Sequence, residues 1–209
     1  MAKSSSKKTV SKTSSKPGNK KTSKSFARQF AKDADSSLQD LFVSEIKDTY
    51  CAENHLVKAL PKVVNASGTA DLKQALADYL KVTKNHASRL EKIFELIGEK
   101  IIAKKCDAME ELTMSGEHVI ENTITGTNIR DVGIIMSALK VENFEIKTYK
   151  GLIQVANSLD RKDVANLLQQ NLDEEIKASD MLTYMSQSRT LPIQYLPFFI
   201  NNKYDYYAC

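Results

Sequence analysis

Residues 139–152 read LKVENFEIKTYKGL, and acidic side chains interrupt an otherwise apolar stripe in this segment. The stripe consists of Leu139, Glu142, Glu145, Tyr149 and Leu152. Steps of three and four residues place all of them on one face of a helix, and the apolar members indicate that this face packs inward. A carboxylate on such a face must be paired, protonated or bound to a metal, because burying it alone is very costly.

Three other segments repeat this pattern on predicted helices. Their stripes are Phe42, Glu45, Thr49, Glu53, Leu56 and Leu60; Leu76, Tyr79, Thr83, His86, Leu90 and Ile93; and Leu168, Asn171, Glu175, Ala178 and Leu182. Each stripe carries an acidic or imidazole side chain among its apolar residues. Four such helices that face one another would form the interior of a di-metal carboxylate bundle.

The order of the predicted elements defines the fold class. Long helices are expected from Ser36 or Ser37 to 60, and over 70–97, 129–159 and 163–187, with a shorter helix over 107–121. Short turns join the first two long helices and the last two, while about thirty residues separate the second from the third. The sequence therefore predicts an all-α protein with a ferritin-like four-helix bundle. It consists of two antiparallel hairpins and a long crossover that carries a short extra helix.

Composition divides the chain into three parts. Residues 1–32 carry ten of the 30 Lys and Arg side chains and no acid, so the remaining 177 residues hold 20 basic and 26 acidic side chains. Residues 1–35 are predicted to be a disordered basic Lys/Ser-rich arm, because they contain too little apolar surface to offset chain ordering. Residues 36–188 form the predicted bundle. Residues 189–209 form an aromatic C-terminal tail that holds six of the chain's fifteen Tyr and Phe side chains.

Several protein classes are excluded by what the sequence contains. Cys51, Cys106 and Cys209 are scattered and odd in number, which argues against a disulfide framework or a zinc ribbon and favours a reducing compartment. No apolar run reaches the length of a membrane span, and no apolar segment follows the basic N-terminus as in a secretory signal. A cytoplasmic protein with no membrane contact is expected.

Some segments of residues 38–186 are specific enough to indicate a family. They are LFVSEIKDTYCAE at 41–53, KALP at 58–61, RLEKIF at 89–94, KCDAME at 105–110, KVENFE at 140–145 with Tyr149, and LDEE at 172–175. In order and spacing, this set resembles the YciF/YciE-like family (DUF892) of ferritin-like bacterial stress proteins. The resemblance implies a ferritin-like bundle, a homodimer, a di-iron site and a link to stress responses. It covers neither the basic arm nor the aromatic tail.

The chain also departs from the pattern of that family and of di-iron bundles. Many relatives carry Glu where this chain has Lys81 and Val82, and His where it has Asn143. The two ExxH motifs usual in di-iron bundles are replaced by Thr83-x-x-His86 and by Glu175 followed three residues later by Ala178.

The predicted metal ligands come from all four long helices. They are Glu53, His86, Glu142 and Glu175, with Glu145 as a fifth member. Two neighbouring divalent ions need bridging carboxylates to offset their repulsion, and the metal implied is iron, with manganese as an alternative. Tyr149 is placed to hydrogen-bond a ligand. The competing interpretation is that these are ordinary buried polar residues, while Glu45, beside Lys47 and Asp48, is expected to be solvated.

Two functions from different classes follow. In the first, a ferritin-like stress protein oxidises ferrous iron or consumes peroxide at a di-iron carboxylate site. In the second, a metal-free bundle binds nucleic acid nonspecifically through residues 1–32, or a protein partner through residues 190–209. The missing ExxH histidines favour the second function, and the Glu142–Glu145 pair favours the first.

Overall fold

The computed structural model describes the backbone of residues 20–102 and 106–190, and the side chains of 36–102 and 106–189. The chain divides into two compact units, residues 1–37 and residues 38–209, and the bundle core lies in the second. The described part is all-helical. Its helices are α1 Lys20–Ala66, α2 Ala70–Ile97, α3 Asp107–Asn122, α4 Asn128–Ser158 and α5 Lys162–Thr190.

The start of α1 corrects the sequence prediction. The first helix was expected to begin at Ser36 or Ser37, after a disordered arm that extended to residue 35, but α1 begins at Lys20. Residues 20–35 contain no Gly or Pro and several good helix formers, so nothing in the segment stops the helix from continuing toward the N-terminus.

The end of α1 also lies later than predicted, at Ala66 and not at residue 60, because Pro61 lies inside the helix and does not end it. The remaining predicted boundaries agree with the structure to within three residues. Residues 67–69 connect α1 to α2, and Gly98 ends α2 in the left-handed conformation with φ 73°, which glycine adopts without a Cβ penalty. The crossover between α2 and α4 carries α3, as predicted. There α3 approaches α4 so closely that a Cβ on Gly133 would lie 2.6 Å from Val119 Cγ1.

Two apolar layers form the core of the bundle. The Phe42 layer comprises Phe42, Ile46, Leu90, Ile93, Phe94, Tyr149, Leu152, Ala156, Val164, Ala165, Leu168 and Leu172. The Leu72 layer comprises Ala52, Leu56, Leu60, Leu72, Leu76, Tyr79, Met109, Ile134, Ile135, Val141, Leu182 and Met185. The Phe42 layer takes residues from the earlier part of α1 and the later part of α2, as antiparallel neighbours require, and α4 and α5 are related in the same way.

Asp131 of α4 joins the two hairpins at the α1–α2 turn. Its Oδ1 accepts a hydrogen bond from the backbone N–H of Gly68 at 2.6 Å. Its Oδ2 accepts from the backbone N–H of Thr69 at 3.0 Å and from the Thr69 hydroxyl at 2.7 Å. Asp131 is fully buried. This set, Gly68, Thr69 and Asp131, is termed the Asp131 junction, and it fixes the start of α2 relative to α4.

Some predictions concern residues that the structure does not describe, and others can be compared with it directly. Residues 1–19 and 191–209, which hold most of the basic arm and almost all of the aromatic tail, lie outside them, as does Cys209. Within the part of the chain that the structure describes, Cys51 and Cys106 form no disulfide. Among the described residues, no helix combines the length and the apolar character needed to cross a membrane.

Candidate metal centre

The five predicted ligands come together between the two apolar layers. Glu53 of α1, His86 of α2, Glu142 and Glu145 of α4 and Glu175 of α5 are all buried, none more than 2% exposed. On each helix these residues are flanked along the sequence by members of both layers. The centre therefore has apolar side chains above and below it, as the four stripes predicted.

Three of the five residues meet most closely. One ligand atom from each of Glu53, His86 and Glu175 lies within 4.8 Å of the other two. His86 Nδ1 is 2.9 Å from Glu175 Oε1 and 3.4 Å from Glu53 Oε1. The 2.9 Å contact lacks hydrogen-bond geometry, and both of its atoms are without hydrogen-bond partners. Ring nitrogen and carboxylate oxygens so arranged are suitable for one shared cation.

Two buried tyrosines hold the carboxylates from opposite layers. Tyr149, in the Phe42 layer, donates its hydroxyl hydrogen to Glu53 Oε1, as predicted for this residue. Tyr79, in the Leu72 layer, donates to Glu145 Oε2 at 2.9 Å, with Glu175 Oε2 at 3.5 Å. Asn171 donates to the Tyr149 oxygen at 3.0 Å and fixes that hydroxyl in turn. Each tyrosine thus constrains one oxygen of a carboxylate and leaves the other oxygen of that carboxylate without a partner.

Glu174 and Arg89 fix the orientation of the His86 ring from the side that faces away from the cluster. His86 Nε2 lies 3.0 Å from Glu174 Oε2 in a hydrogen bond. Arg89 donates to both oxygens of Glu174, at 2.7 and 2.8 Å, and these bonds lower the pKa of that carboxyl group. An ionised Glu174 can only accept, so Nε2 carries the hydrogen and Nδ1 faces the cluster. A carboxylate behind a histidine is the usual way in which a metal-binding imidazole is oriented.

The cluster has too few hydrogen-bond donors for its carboxylates. Seven buried side-chain N and O atoms in the described chain have no hydrogen-bond partner, and six of them belong to the five cluster residues. They are Glu53 Oε2, His86 Nδ1, both oxygens of Glu142, Glu145 Oε1 and Glu175 Oε1. Buried polar groups are nearly always paired, so a concentration of exceptions in one place requires an explanation. A metal ion that takes these atoms as ligands supplies one.

The pKa shifts of the cluster residues also indicate that the cluster favours positive charge. Burial, followed by the negative charge of Glu175, raises the pKa of Glu142 and of Glu145 well above the usual range. Burial alone would lower the pKa of His86, but the carboxylates of Glu175 and Glu53 outweigh it and raise that pKa to about 10. Positive charge is therefore favoured inside the cluster, and protons occupy it when cations do not.

Sequence reasoning missed the residues that support the ligands. Tyr79 and Asn171 were visible only as stripe members, and Glu174 and Arg89 lie off the stripes, so periodicity carried no signal for them. Glu45 is exposed, which confirms its expected solvation. At the positions that differ from ExxH, Thr83 is buried and donates to the backbone oxygen of Tyr79, and Ala178 is packed against the Leu72 layer.

Comparison with known proteins agrees with the helical fold. The profile of the family described as "Domain of unknown function (DUF892)" matches residues 37–191. The chain belongs to the DUF892 family. Protein YciF of Escherichia coli strain K12 is 36% identical over 146 residues, which are 69% of this chain and 87% of YciF.

Solved structures of two similar proteins share the fold. The crystal structure of the E. coli stress protein YciF matches with a TM-score of 0.70 and 34% identity, over 73% of this chain and 96% of YciF. YcfI from Rhodopseudomonas palustris matches with a TM-score of 0.68 and 29% identity, over 75% of this chain and 95% of YcfI. The ferritin-like helical bundle predicted from the sequence is thereby confirmed.

Proposed function

We propose that this DUF892 protein binds two divalent metal ions, with iron as the first candidate and manganese as the second. The proposed ligands are Glu53, His86, Glu142, Glu145 and Glu175. The observation that carries the proposal is the group of six buried ligand atoms without hydrogen-bond partners. A structural cluster of glutamates would be expected to pair these atoms with donors from the protein.

Charge balance favours two ions over one. Four buried glutamates supply four negative charges when ionised, and His86 is neutral as a ligand. Two divalent cations would cancel that charge inside an apolar surround, whereas one would leave a net buried charge of two. Carboxylates and imidazole are ligands common to iron and manganese sites.

The reaction we propose is the oxidation of ferrous iron by dioxygen, or the consumption of peroxide. Bound ferrous iron would supply the electrons for either reaction. The chain's own residues position the ligands: Tyr79 and Tyr149 hold Glu145 and Glu53, and Glu174 holds the His86 ring. The two apolar layers limit the access of water to the centre.

Reconstitution with ferrous iron under nitrogen tests this proposal. Elemental analysis should find about two irons per chain, and a near-ultraviolet band should appear when oxygen or peroxide is added. The Glu142→Gln variant should lose iron, while Asp180→Asn, which changes an exposed acid on α5, should retain it. Wild-type protein that holds neither iron nor manganese after supplementation would rule out the metal centre.

A second activity is suggested by the charge of residues 1–32. Ten positive side chains with no acid would contact phosphates and give salt-sensitive nucleic-acid binding that does not depend on sequence. Retention of DNA at low salt that disappears on deletion of residues 1–32 would support this activity, and equal retention without those residues would contradict it.

Deletion of residues 190–209 tests the proposed protein partner, which should no longer co-purify with the shortened protein. Sedimentation of the wild type and of both deletion variants tests the proposed homodimer.

A further inference from the structure

A cavity of about 390 Å³ lies beside the metal centre, between α1, α3 and α4. Residues from these three helices and Cys106, which precedes α3, line it, and the cavity is termed the access pocket. Glu45 of α1 and Asp107 and Ala108 of α3 are exposed and form its rim. The pocket lies within the unit formed by residues 38–209.

The access pocket has a strongly one-sided charge. Its acidic lining residues are Glu45, Asp48, Asp107 and Glu145, and no Lys, Arg or His is among the described residues that line it. Clefts lined by one sign of charge concentrate ions of the opposite sign and increase their association rates. The lining therefore attracts cations and repels anions.

Glu145 is the residue that the pocket shares with the metal centre. It lines the access pocket, yet its side chain is buried within the cluster. Its Oε2 accepts the hydrogen bond from Tyr79, while its Oε1 has no partner. An unpaired carboxylate oxygen at the boundary between a solvent-facing acidic cavity and a buried ligand set is placed to bind a cation from either side.

The volume of the pocket is sufficient for a hydrated ion. A cavity needs roughly 10–15 Å³ for each water molecule that it holds, so six water molecules need about 60–90 Å³, which is less than a quarter of this cavity. A second cavity, beneath α3 and lined mainly by apolar residues including Leu56, Leu76 and Tyr79, measures only about 50 Å³. Of the two, the first is the larger, and it is the one that Glu145 lines.

We propose that the access pocket is a transit site, which takes hydrated divalent cations from solvent and passes them to the buried centre through Glu145. This inference rests on the proposed metal-binding function. Glu45, Asp48 and Asp107 attract the ion while it keeps most of its water, and Glu145 replaces water as the ion enters. The pocket thus determines the rate of loading, and the five ligands determine the final occupancy.

Stopped-flow mixing with cobalt(II) chloride, followed by its visible absorption, separates these two roles. The pocket variant Glu45→Gln/Asp107→Asn removes two charges from the rim. The control Glu95→Gln/Glu111→Gln removes two exposed charges elsewhere on the same unit. The pocket variant should load about tenfold more slowly than wild type, with a weaker dependence on ionic strength and the same final cobalt content. The control should load at the wild-type rate.

A variant that changes side-chain size and not charge controls for an effect of the charge substitutions on folding. Ala108→Phe adds bulk at the exposed rim without changing charge, and it should also slow loading while circular dichroism shows an unchanged helical signal. Wild-type loading rates in both pocket variants would overturn the transit site and leave the metal centre standing. A reduced final cobalt content in the pocket variants would also overturn it, because those residues would then be resident ligands. No cobalt bound by wild type at equilibrium would overturn both proposals.

Discussion

Buried carboxylates occur in two contrasting settings in this bundle. At the Asp131 junction, one fully buried Asp receives three hydrogen bonds from Gly68 and Thr69, so both of its oxygens are satisfied. In the candidate metal centre, four buried Glu side chains leave five oxygens with no donor. The protein supplies every hydrogen-bond partner in the first arrangement, whereas in the second it leaves those oxygens unpaired.

The difference separates structural carboxylates from ligands by a criterion that burial alone does not provide. Asp131 and Glu142 are equally inaccessible to solvent. Backbone N–H groups of a turn surround Asp131, while other carboxylates surround Glu142. Removal of the Asp131 side chain should therefore lower stability with or without metal. Neutralisation of Glu142 should instead abolish the stabilisation by metal and change the stability of the chelator-treated protein little.

Metal should have the largest effect on stability. Ferrous iron or manganese added under nitrogen at about a thousand times its dissociation constant should raise the free energy of unfolding by about 4 kcal/mol, because it binds only the folded cluster. Thermal unfolding with and without metal measures the increase, and a chelator should reverse it. An unchanged melting temperature at saturating metal would remove the contrast between the two settings.

Asp131→Ala should produce the next largest effect. The substitution removes a buried carboxylate that accepts three hydrogen bonds from Gly68 and Thr69, and it should lower the free energy of unfolding by about 3 kcal/mol, with or without metal. Urea denaturation provides the measurement. Asp180→Ala, at an exposed position on α5, serves as the control and should change stability by less than about 0.5 kcal/mol.

Glu142→Gln should behave in the opposite way. Burial and the charge of Glu175 already disfavour the ionised form of this side chain, so neutralising it should change the stability of chelator-treated protein by no more than about 1 kcal/mol. The stabilisation by metal should be lost. If the metal-free variant were as unstable as Asp131→Ala, Glu142 would be a structural carboxylate and the distinction would fail.

The smallest effect is expected at an exposed carboxylate close to the junction. Arg189 of α5 donates to both oxygens of Asp71 at 2.9 and 2.8 Å. The pKa of Asp71 lies below 3.8, mainly because of Thr69 and to a lesser extent because of Arg189. The folded-state pKa is depressed, so the stabilisation is present above 3.8 and disappears as pH falls through the lower value in the folded protein.

Asp71→Asn measures that contribution. At neutral pH the variant should be less stable than wild type by at most about 1 kcal/mol, because the pair is largely solvated. Urea unfolding below the folded-state pKa should show no difference between the two proteins. A difference that persists unchanged into acid would mean that packing, and not the charge of Asp71, stabilises this contact.

Local patterns in the sequence predicted most of the fold and the positions of the proposed ligands, but not the start of α1. Stripes such as Leu139, Glu142, Glu145 and Tyr149 predicted both the helix and its buried face, because helical periodicity is a local property. The observed start of α1 at Lys20 differs from the predicted one, because composition indicates disorder in residues 20–35 although that segment contains no helix breaker. The predicted ligands do lie together, and whether they bind metal stays a prediction.

By itself, the sequence determined the four long helices, the hairpin pairing and the identity of the buried acids. Each of these depends on spacing along one helix or on the length of one connection. Only the tertiary structure decided which donors reach those acids: three for Asp131, and one tyrosine hydroxyl each for Glu53 and Glu145. Those partners come from segments distant in sequence, so their number and direction depend on how the helices pack in three dimensions. For the same reason, periodicity could indicate that carboxylates are buried, but only the folded bundle shows which of their oxygens have no partner.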